Sequence, residues 1–354
     1  PSAFATIDEV VEVGRVAAEY GGIYASHIRD EGEGLVGAVQ EAIEVGERAG
    51  MPVEIFHYKA AFEPGWGKVI KEAAVEIEAA RARGVDVAAD MYPYTAGGTG
   101  LEATIPSWVF DGGNDSVQAR IARPEVRERM KREVETGFDG WWNIVKSSGG
   151  WDGIVLVNAR NPANAHLEGK SISLIAQKTG KDPADAAWDL VAEGNGRVMA
   201  IYHMMSEEDV QWALQRPWTS IGSDAGAALS AGVTDALGLP HPRSYGTFPR
   251  ILARYVRETG TLSLEEAVRK MTSWPATRMR LDRRGVIQEG AWADITIFDL
   301  ERVQDLATYD EPVLFPQGIE YVLVNGVVVI EDGGTHTGAR PGHVLYGPGR
   351  EISR

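Results

Sequence analysis

His27, His57 and Asp224 each close a short run rich in β-forming residues: Ile23-Tyr24-Ala25-Ser26-His27-Ile28, Val53-Glu54-Ile55-Phe56-His57 and Thr219-Ser220-Ile221-Gly222-Ser223-Asp224. Two imidazoles and a carboxylate at the ends of neighbouring strands could hold a metal ion, because nitrogen and carboxylate oxygen both suit zinc. Taken singly, either histidine reads as a hydrogen-bonded core or rim residue. Two at equivalent places in successive units leave a shared cation and that structural role both open. Asp90 ends a further run of the same kind, beginning at Val85.

The elements that would position these groups follow from hydrophobic period and punctuation. Thr6-Ile7-Asp8-Glu9 is a capping-box pattern that predicts a helix over about 7–19, stopped by Gly21-Gly22. Leu35, Val39, Ala42, Ile43 and Gly46 form a helical stripe ended by Gly50, and Val69, Ile70, Ala73, Ile77 and Ala80 form another ended by Gly84. Strand-then-helix units thus recur every 30 residues or so, which argues for parallel β/α architecture. Polar residues at the C-terminal ends of such strands stand where parallel barrels and sheets place their chemistry.

From about 97 to 200 the rhythm breaks into Gly- and Trp-rich sequence, with an amphipathic segment at Pro124–Glu135 and a strand-like Gly153–Val157. This reads as an insertion or lid. Trp108, Trp141, Trp142 and Trp151 would serve there either as pocket walls or as packing. Barrel-like rhythm returns at Val198–His203, a helix at Ser206–Leu214 and the run to Asp224, and a helix follows at Ser263–Met271. The pattern then turns to β at Gly285-Val286-Ile287, Ala293–Asp299 and Ile319–Val324. Asn325-Gly326 joins the last of these to Val327–Ile330 as a hairpin. The expected organisation is an α/β chain: a partial barrel over 1–284 carrying the insertion, and a small β segment over 285–354.

Composition narrows the function classes. The 354 residues carry 51 Asp+Glu against 35 Lys+Arg, a formal charge of -16, and the basic residues are scattered, so nucleic acid is not an expected partner. No apolar run reaches the roughly 18 residues of a membrane span, so no membrane partner is expected. The chain has no cysteine, which removes thiolate ligands and fits a reducing, cytoplasmic setting. It does not start with Met, which leaves the true N-terminus, and so any leader, open.

Four words occur in order: Ser26-His27-Ile28-Arg29-Asp30-Glu31, His57-Tyr58-Lys59, Asp90-Met91-Tyr92-Pro93-Tyr94-Thr95-Ala96-Gly97 and Gly222-Ser223-Asp224-Ala225. With His241-Pro242-Arg243-Ser244-Tyr245-Gly246 and the closing Gly338-Ala339-Arg340-Pro341-Gly342, the chain resembles the D-aminoacylase (N-acyl-D-amino-acid deacylase) branch of the amidohydrolases along nearly its whole length. The resemblance implies the C-terminal portion of a (β/α)8 TIM-like metallo-hydrolase barrel. It implies one or two zinc ions, and hydrolysis of the amide of a small N-acyl-D-amino acid. A cyclic-amide or peptide hydrolase on the same barrel, or an inactive metal-free interaction module, are the alternatives.

Carried over by position, His27, His57 and Asp224 resemble metal ligands of that family. Asp224 would also accept a proton from the attacking water and return it to the leaving amine. Lys59 and Tyr92 resemble its binders of the substrate carboxylate. Arg243 is a further candidate for that carboxylate, with an arginine that locks a loop to the barrel rim as the other reading. The family motif usually has Ser where this chain has Gly98. Thr99 is therefore the candidate for that substrate hydrogen bond, or the bond is lost. His241 is read as a loop cap and His203 as packing, with pocket lining as its other reading, while His166, His336 and His343 are given no chemistry. No His-x-His pair occurs, although the family opens its metal site with one, so a companion N-terminal segment or chain is expected to supply it with the first barrel strands.

Overall fold

In the computed structural model, residues 4–138, 140–194, 198–226 and 239–349 are described. The capping box forms as its residues dictate: Thr6 Oγ1 accepts from the Glu9 amide and Glu9 Oε2 accepts from the Thr6 amide, starting α1 (Ile7–Glu19). Of its apolar positions Val11 is buried, whereas Val13 and Val16 face outward. Strand β1 (Tyr24–Ser26), helix α2 (Leu35–Ala49), β2 (Val53–Ile55), α3 (Val69–Ala82) and β3 (Val87–Met91) then follow in the expected order.

Strands β1, β2 and β3 pair in parallel, with Tyr24 opposite Val53 and Val53 opposite Val87. Strand β7 (Thr219–Ile221) adds to β3 in parallel, Met91 opposite Ile221, giving the order β1-β2-β3-β7. Parallel strands need crossovers that cover the sheet, and α2 and α3 supply them with their apolar stripes. Leu35, Val39, Ala42, Ile70, Ala73, Ile77 and Ala80 are all buried with Val53, Ile55, Val87 and Ala89. Gly46 marks the closest approach: a Cβ there would meet Val53 Cγ2 at 2.1 Å, so only glycine lets α2 lie this near β2.

Two expectations fail. Val198–His203 was read as a returning barrel strand, but β6 (Met199–His203) pairs antiparallel with β4 (Ala96–Gly100) and with β5 (Ile154–Asn158) in a separate three-stranded sheet. An isolated apolar run shows strand tendency but not which sheet it joins. Gly285-Val286-Ile287 is not a strand; Gly285 has φ +81 and Ile287 lies almost wholly in solvent. Between β4 and β6 lie helices α4 (Asn114–Ile121), α5 (Pro124–Thr136), α6 (Ile144–Ser147), α7 (Ile172–Thr179) and α8 (Pro183–Glu193), and α9 (Glu207–Leu214) follows β6.

The chain ends in an antiparallel sheet of β8 (Ile295–Phe298), β9 (Ile319–Val324), β10 (Val327–Glu331) and β11 (Thr335–His336). Asn325 and Gly326 join β9 to β10 with φ of +50 and +81, the two left-handed residues that a tight hairpin turn requires. Among the described residues no helix is long and apolar enough to cross a membrane.

Gly46→Ala is expected to destabilise the fold by about 1–3 kcal/mol, because β2 or α2 must shift to admit one methyl. Denaturant titration of the two forms checks this; equal midpoints would mean the approach is softer than the contact distance implies.

Candidate metal centre and carboxylate pocket

The in-register strand ends deliver their next residues to one edge of the parallel sheet. His27 leaves β1, His57 leaves β2, Asp90 and Tyr92 stand at the end of β3, and Asp224 leaves β7. His57 and Asp224 both turn out of their strands with left-handed backbones, φ +39 and +46, a conformation that non-glycine residues adopt rarely. The Asp90 carboxylate accepts from the His57 amide at 2.8 Å and so fixes one of those turns. Gly222 makes room for it, since a Cβ there would lie 2.9 Å from Asp90 Oδ1.

His27 Nδ1 and His57 Nε2 are 2.9 Å apart. Two nitrogens bound to one tetrahedral zinc at about 2.0–2.1 Å stand roughly 3.3 Å apart, so the pair fits a shared ion with little adjustment. Behind them lies Glu31, 1% exposed, with Oε1 2.6 Å from His57 Nδ1 and 2.5 Å from Lys59 Nζ. His27, Glu31 and His57 form the group with metal-ligand geometry among the described residues. Burial alone would raise the Glu31 carboxyl, but the Lys59 ammonium and the His57 ring outweigh it and hold the group well below the usual range. Burial pulls the Lys59 ammonium down, and Glu31 opposes this. Desolvation lowers His27, helped by His57 and Lys59 and countered by Glu31.

Asp224 does not join the histidines here. Its Oδ2 takes Arg243 Nη1 at 2.7 Å, with the Asp224 side chain 37% exposed. Arg243 is buried, also donates to the Gly98 carbonyl, and packs its guanidinium 4.7 Å from the Tyr92 ring centre. Lys59 Nζ stands 5.7 Å from the same ring. Two cations thus flank one buried phenol, whose pKa burial pushes far upward, so Tyr92 stays a protonated donor. These groups line one cleft of about 310 Å³ together with Gly97, Gly98, Thr99, Trp142, Ile144 and Met204. Thr99 is on its exposed rim, on β4.

Lys59 reaches the cleft from a turn. Strand β2 ends at Ile55, so Lys59 is not on a continuing strand; the turn after it sets Nζ 2.9 Å from His57 Nδ1. His241 is more than a cap. Its Nε2–H donates to the Ala96 carbonyl at 2.9 Å, and Nδ1 accepts from the Arg243 amide at 3.0 Å, clamping β4 to the start of the helix Arg243–Arg250. His203 stacks edge-on to Tyr309, outside the cleft lining. Of the four tryptophans, Trp142 lines the cleft, and Trp108 donates to Glu133. Sequence reasoning did not pick out Glu31, and it placed Asp90 at a strand end without giving it a role. The signal for Glu31 was its place four residues after His27, and for Asp90 its strand-end position.

A family-wide profile described as the amidohydrolase family matches residues 191–330. A D-aminoacylase from Alcaligenes xylosoxydans xylosoxydans is 35% identical over 98% of this chain and 59% of its own length. An N-acyl-D-glutamate deacylase of the same organism is also 35% identical, over 98% and 58%. The chain is similar along nearly its whole length to the D-aminoacylase branch of the amidohydrolase family. It spans about three fifths of the length of the curated relatives it matches.

Among solved structures, it is similar to an N-acyl-D-glutamate deacylase from Bordetella bronchiseptica. That structure holds zinc and a phosphonate mimic of the tetrahedral intermediate; it is 33% identical over 98% of this chain and 60% of that one, with TM-score 0.76. A D-aminoacylase structure matches at 34% identity over 96% and 59%, with TM-score 0.73. The family fold is therefore an α/β, TIM-barrel-like amidohydrolase architecture, with the terminal β-sheet present.

The clamp at His241 gives a pH test. Burial first, then Arg243, hold this imidazole well below its ordinary 6.5. The unfolded chain therefore takes up the proton before the folded one. The stability His241 contributes is intact above about 6.5 and is lost as pH falls through it, by up to about 1.4 kcal/mol per pH unit. His241→Asn keeps a donor and an acceptor but does not titrate, so its unfolding free energy should fall less between about pH 7.5 and pH 5.5 than that of the unaltered protein. Parallel slopes would count against the assignment.

Proposed function

We propose that the protein hydrolyses the amide bond of N-acyl-D-amino acids, releasing a carboxylate and a free D-amino acid. The observation that carries this is one cleft holding both halves of the required recognition. A nitrogen pair with metal-binding separation lies beside Lys59, Tyr92 and Arg243, three donors suited to a carboxylate. The curated relatives act in name on N-acyl-D-amino acids, and a similar structure holds zinc.

His27 and His57 are the residues that would hold zinc, with Asp224 as the third ligand in the same reading. When bound, zinc supplies Lewis-acid polarisation of the amide carbonyl and a nucleophile at neutral pH. The chain's own groups do the rest. Lys59 and Arg243 pair with the substrate α-carboxylate, and the Tyr92 hydroxyl donates to it. Thr99, on the rim, is the proposed replacement for the hydroxyl that Gly98 lacks. Asp224 accepts a proton from the attacking water and returns it to the departing amine, one carboxylate acting first as base and then as acid.

The organisation proposed with this activity is the C-terminal portion of the barrel over 1–284, its insertion at about 97–200, and a β segment over 285–354. A companion segment with further metal ligands belongs to the same proposal. What supports it is β1, whose outer side has no partner strand among the described residues.

Purified protein carrying this chain should turn over N-acetyl-D-amino acids in preference to their L-isomers, lose that activity to a chelator and regain it with zinc. Lys59→Met should raise KM for substrates with a free α-carboxylate by about tenfold or more, the loss of one charge-assisted contact. A cyclic amide lacking that group should be little affected. Turnover of the cyclic amide alone would move the function to that rival class.

A further inference from the structure

Glu31 is a buried charged group at the cleft that the proposed reaction does not use. Glu31 lies between His27 and α2, its backbone carbonyl held by the Ala61 amide at 2.7 Å. Its carboxylate is enclosed, and a lone buried carboxylate is costly unless donors surround it. Here one oxygen takes two, from His57 Nδ1 and Lys59 Nζ, with His27 Nδ1 at 3.8 Å.

We propose that Glu31 is a positioning residue that joins the two halves of the site: it fixes the proton of His57 on Nδ1, leaving Nε2 for metal, and it orients Lys59 toward the substrate carboxylate. The inference rests on the function proposed above. His57 Nδ1 lies 2.6 Å from Glu31 Oε1 but 2.9 Å from Lys59 Nζ, and the Lys59 protons are engaged by Glu31 and by the His57 carbonyl at 3.2 Å. The carboxylate is therefore the partner of Nδ1, and Nδ1 is the donor. With Nδ1 protonated, the Nε2 lone pair faces His27 Nδ1, where the ligand pair forms. A carboxylate behind a metal-bound imidazole sets its tautomer and basicity, and losing such a partner weakens metal binding 10–100-fold.

On the other side, an ammonium has three protons. Glu31 and the His57 carbonyl use two, which leaves one for the cleft. The same oxygen thus aims a metal ligand and a substrate binder. Direct ligation by Glu31 is the competing role, and the contact with the nitrogen that does not face His27 argues against it.

Tautomer, metal affinity and kinetics together test the proposal. Nitrogen-15 NMR of the metal-free protein should show His57 as the Nδ1–H tautomer; finding Nε2–H overturns the proposal whatever any variant does. Glu31→Gln should weaken zinc in direct titration by about 10–100-fold and raise KM for N-acyl-D-amino acids more than it lowers kcat, with Glu31→Asp restoring part of both. Thermal unfolding identifies any variant that has lost its fold, in which case Glu31→Asp and the unaltered protein decide. A folded Glu31→Gln protein with unchanged zinc affinity and KM overturns the role. So does a changed coordination spectrum of the cobalt-substituted protein, which would make Glu31 a ligand. Failure of the unaltered protein to bind zinc or cleave any N-acyl-D-amino acid sinks the functional reading instead, and the tautomer measurement stands apart from it.

Discussion

The register of the parallel sheet is the constraint on which the site depends. Tyr24, Val53 and Val87 start level, and Ser26, Ile55 and Ala89 are opposite one another, so the residues that follow emerge at one edge. A slip of one residue would turn each following side chain to the other face of the sheet. The slip is opposed from outside: Val53, Ile55, Val87 and Ala89 are packed under the stripes of α2 and α3, and Gly46 admits α2 only where Val53 stands. Arg278 ties the opposite end, donating to Glu54 Oε2 at 2.9 Å, to the Val53 carbonyl at 2.8 Å and to Asp86. Burial and nearby Asp groups still leave Glu54 raised to about 7, so that end is held with some electrostatic cost.

At the functional edge the charges balance in two pairs, one buried and one open to water on its carboxylate side, rather than in a spread network. Glu31 answers Lys59, and Asp224 answers Arg243, with Tyr92 between the two cations. Removing one member of a buried pair leaves its partner uncompensated, at about 3–5 kcal/mol. Such pairs therefore specify an arrangement more than they add stability. Here they keep two like charges close together, which is the arrangement a carboxylate ligand needs.

The crossover units were legible in the sequence because helix stripes and strand runs are local signals: Leu35 to Gly46 and Ile70 to Ala80 bury as their spacing implies. So was the Asn325-Gly326 turn, where only a few residue types accept positive φ. What escaped was set by partners distant in sequence. Val198–His203 has strand character, but its pairing with Ala96–Gly100 depends on a neighbour about a hundred residues earlier, which periodicity does not encode. Val286 and Ile287 are β-branched, yet nothing packs on Ile287, and propensity yields to context. At the site, the cluster was read from histidines, the residue type that signals metal. Glu31 was passed over because a carboxylate amid Asp30, Glu31 and Glu33 looks like ordinary solvated charge until burial sets one of the three apart.

Asp224 shows where geometry and proposed role pull against each other, and how they can be reconciled. The structure gives its carboxylate to Arg243, the same guanidinium that the proposed substrate carboxylate needs. Were that pair fully buried, exchange would be prohibitive. Asp224 is instead 37% exposed, so water screens the pair and its net worth is about 1 kcal/mol or less. An incoming carboxylate meets Arg243 with Lys59 and Tyr92 already in place, three donors against the single contact that Asp224 makes. On the proposed function, competition on those terms would favour the substrate and leave Asp224 displaced at the strand end. Substrate binding and release of the proposed proton carrier would then be one event, drawn from a pair weak enough to break.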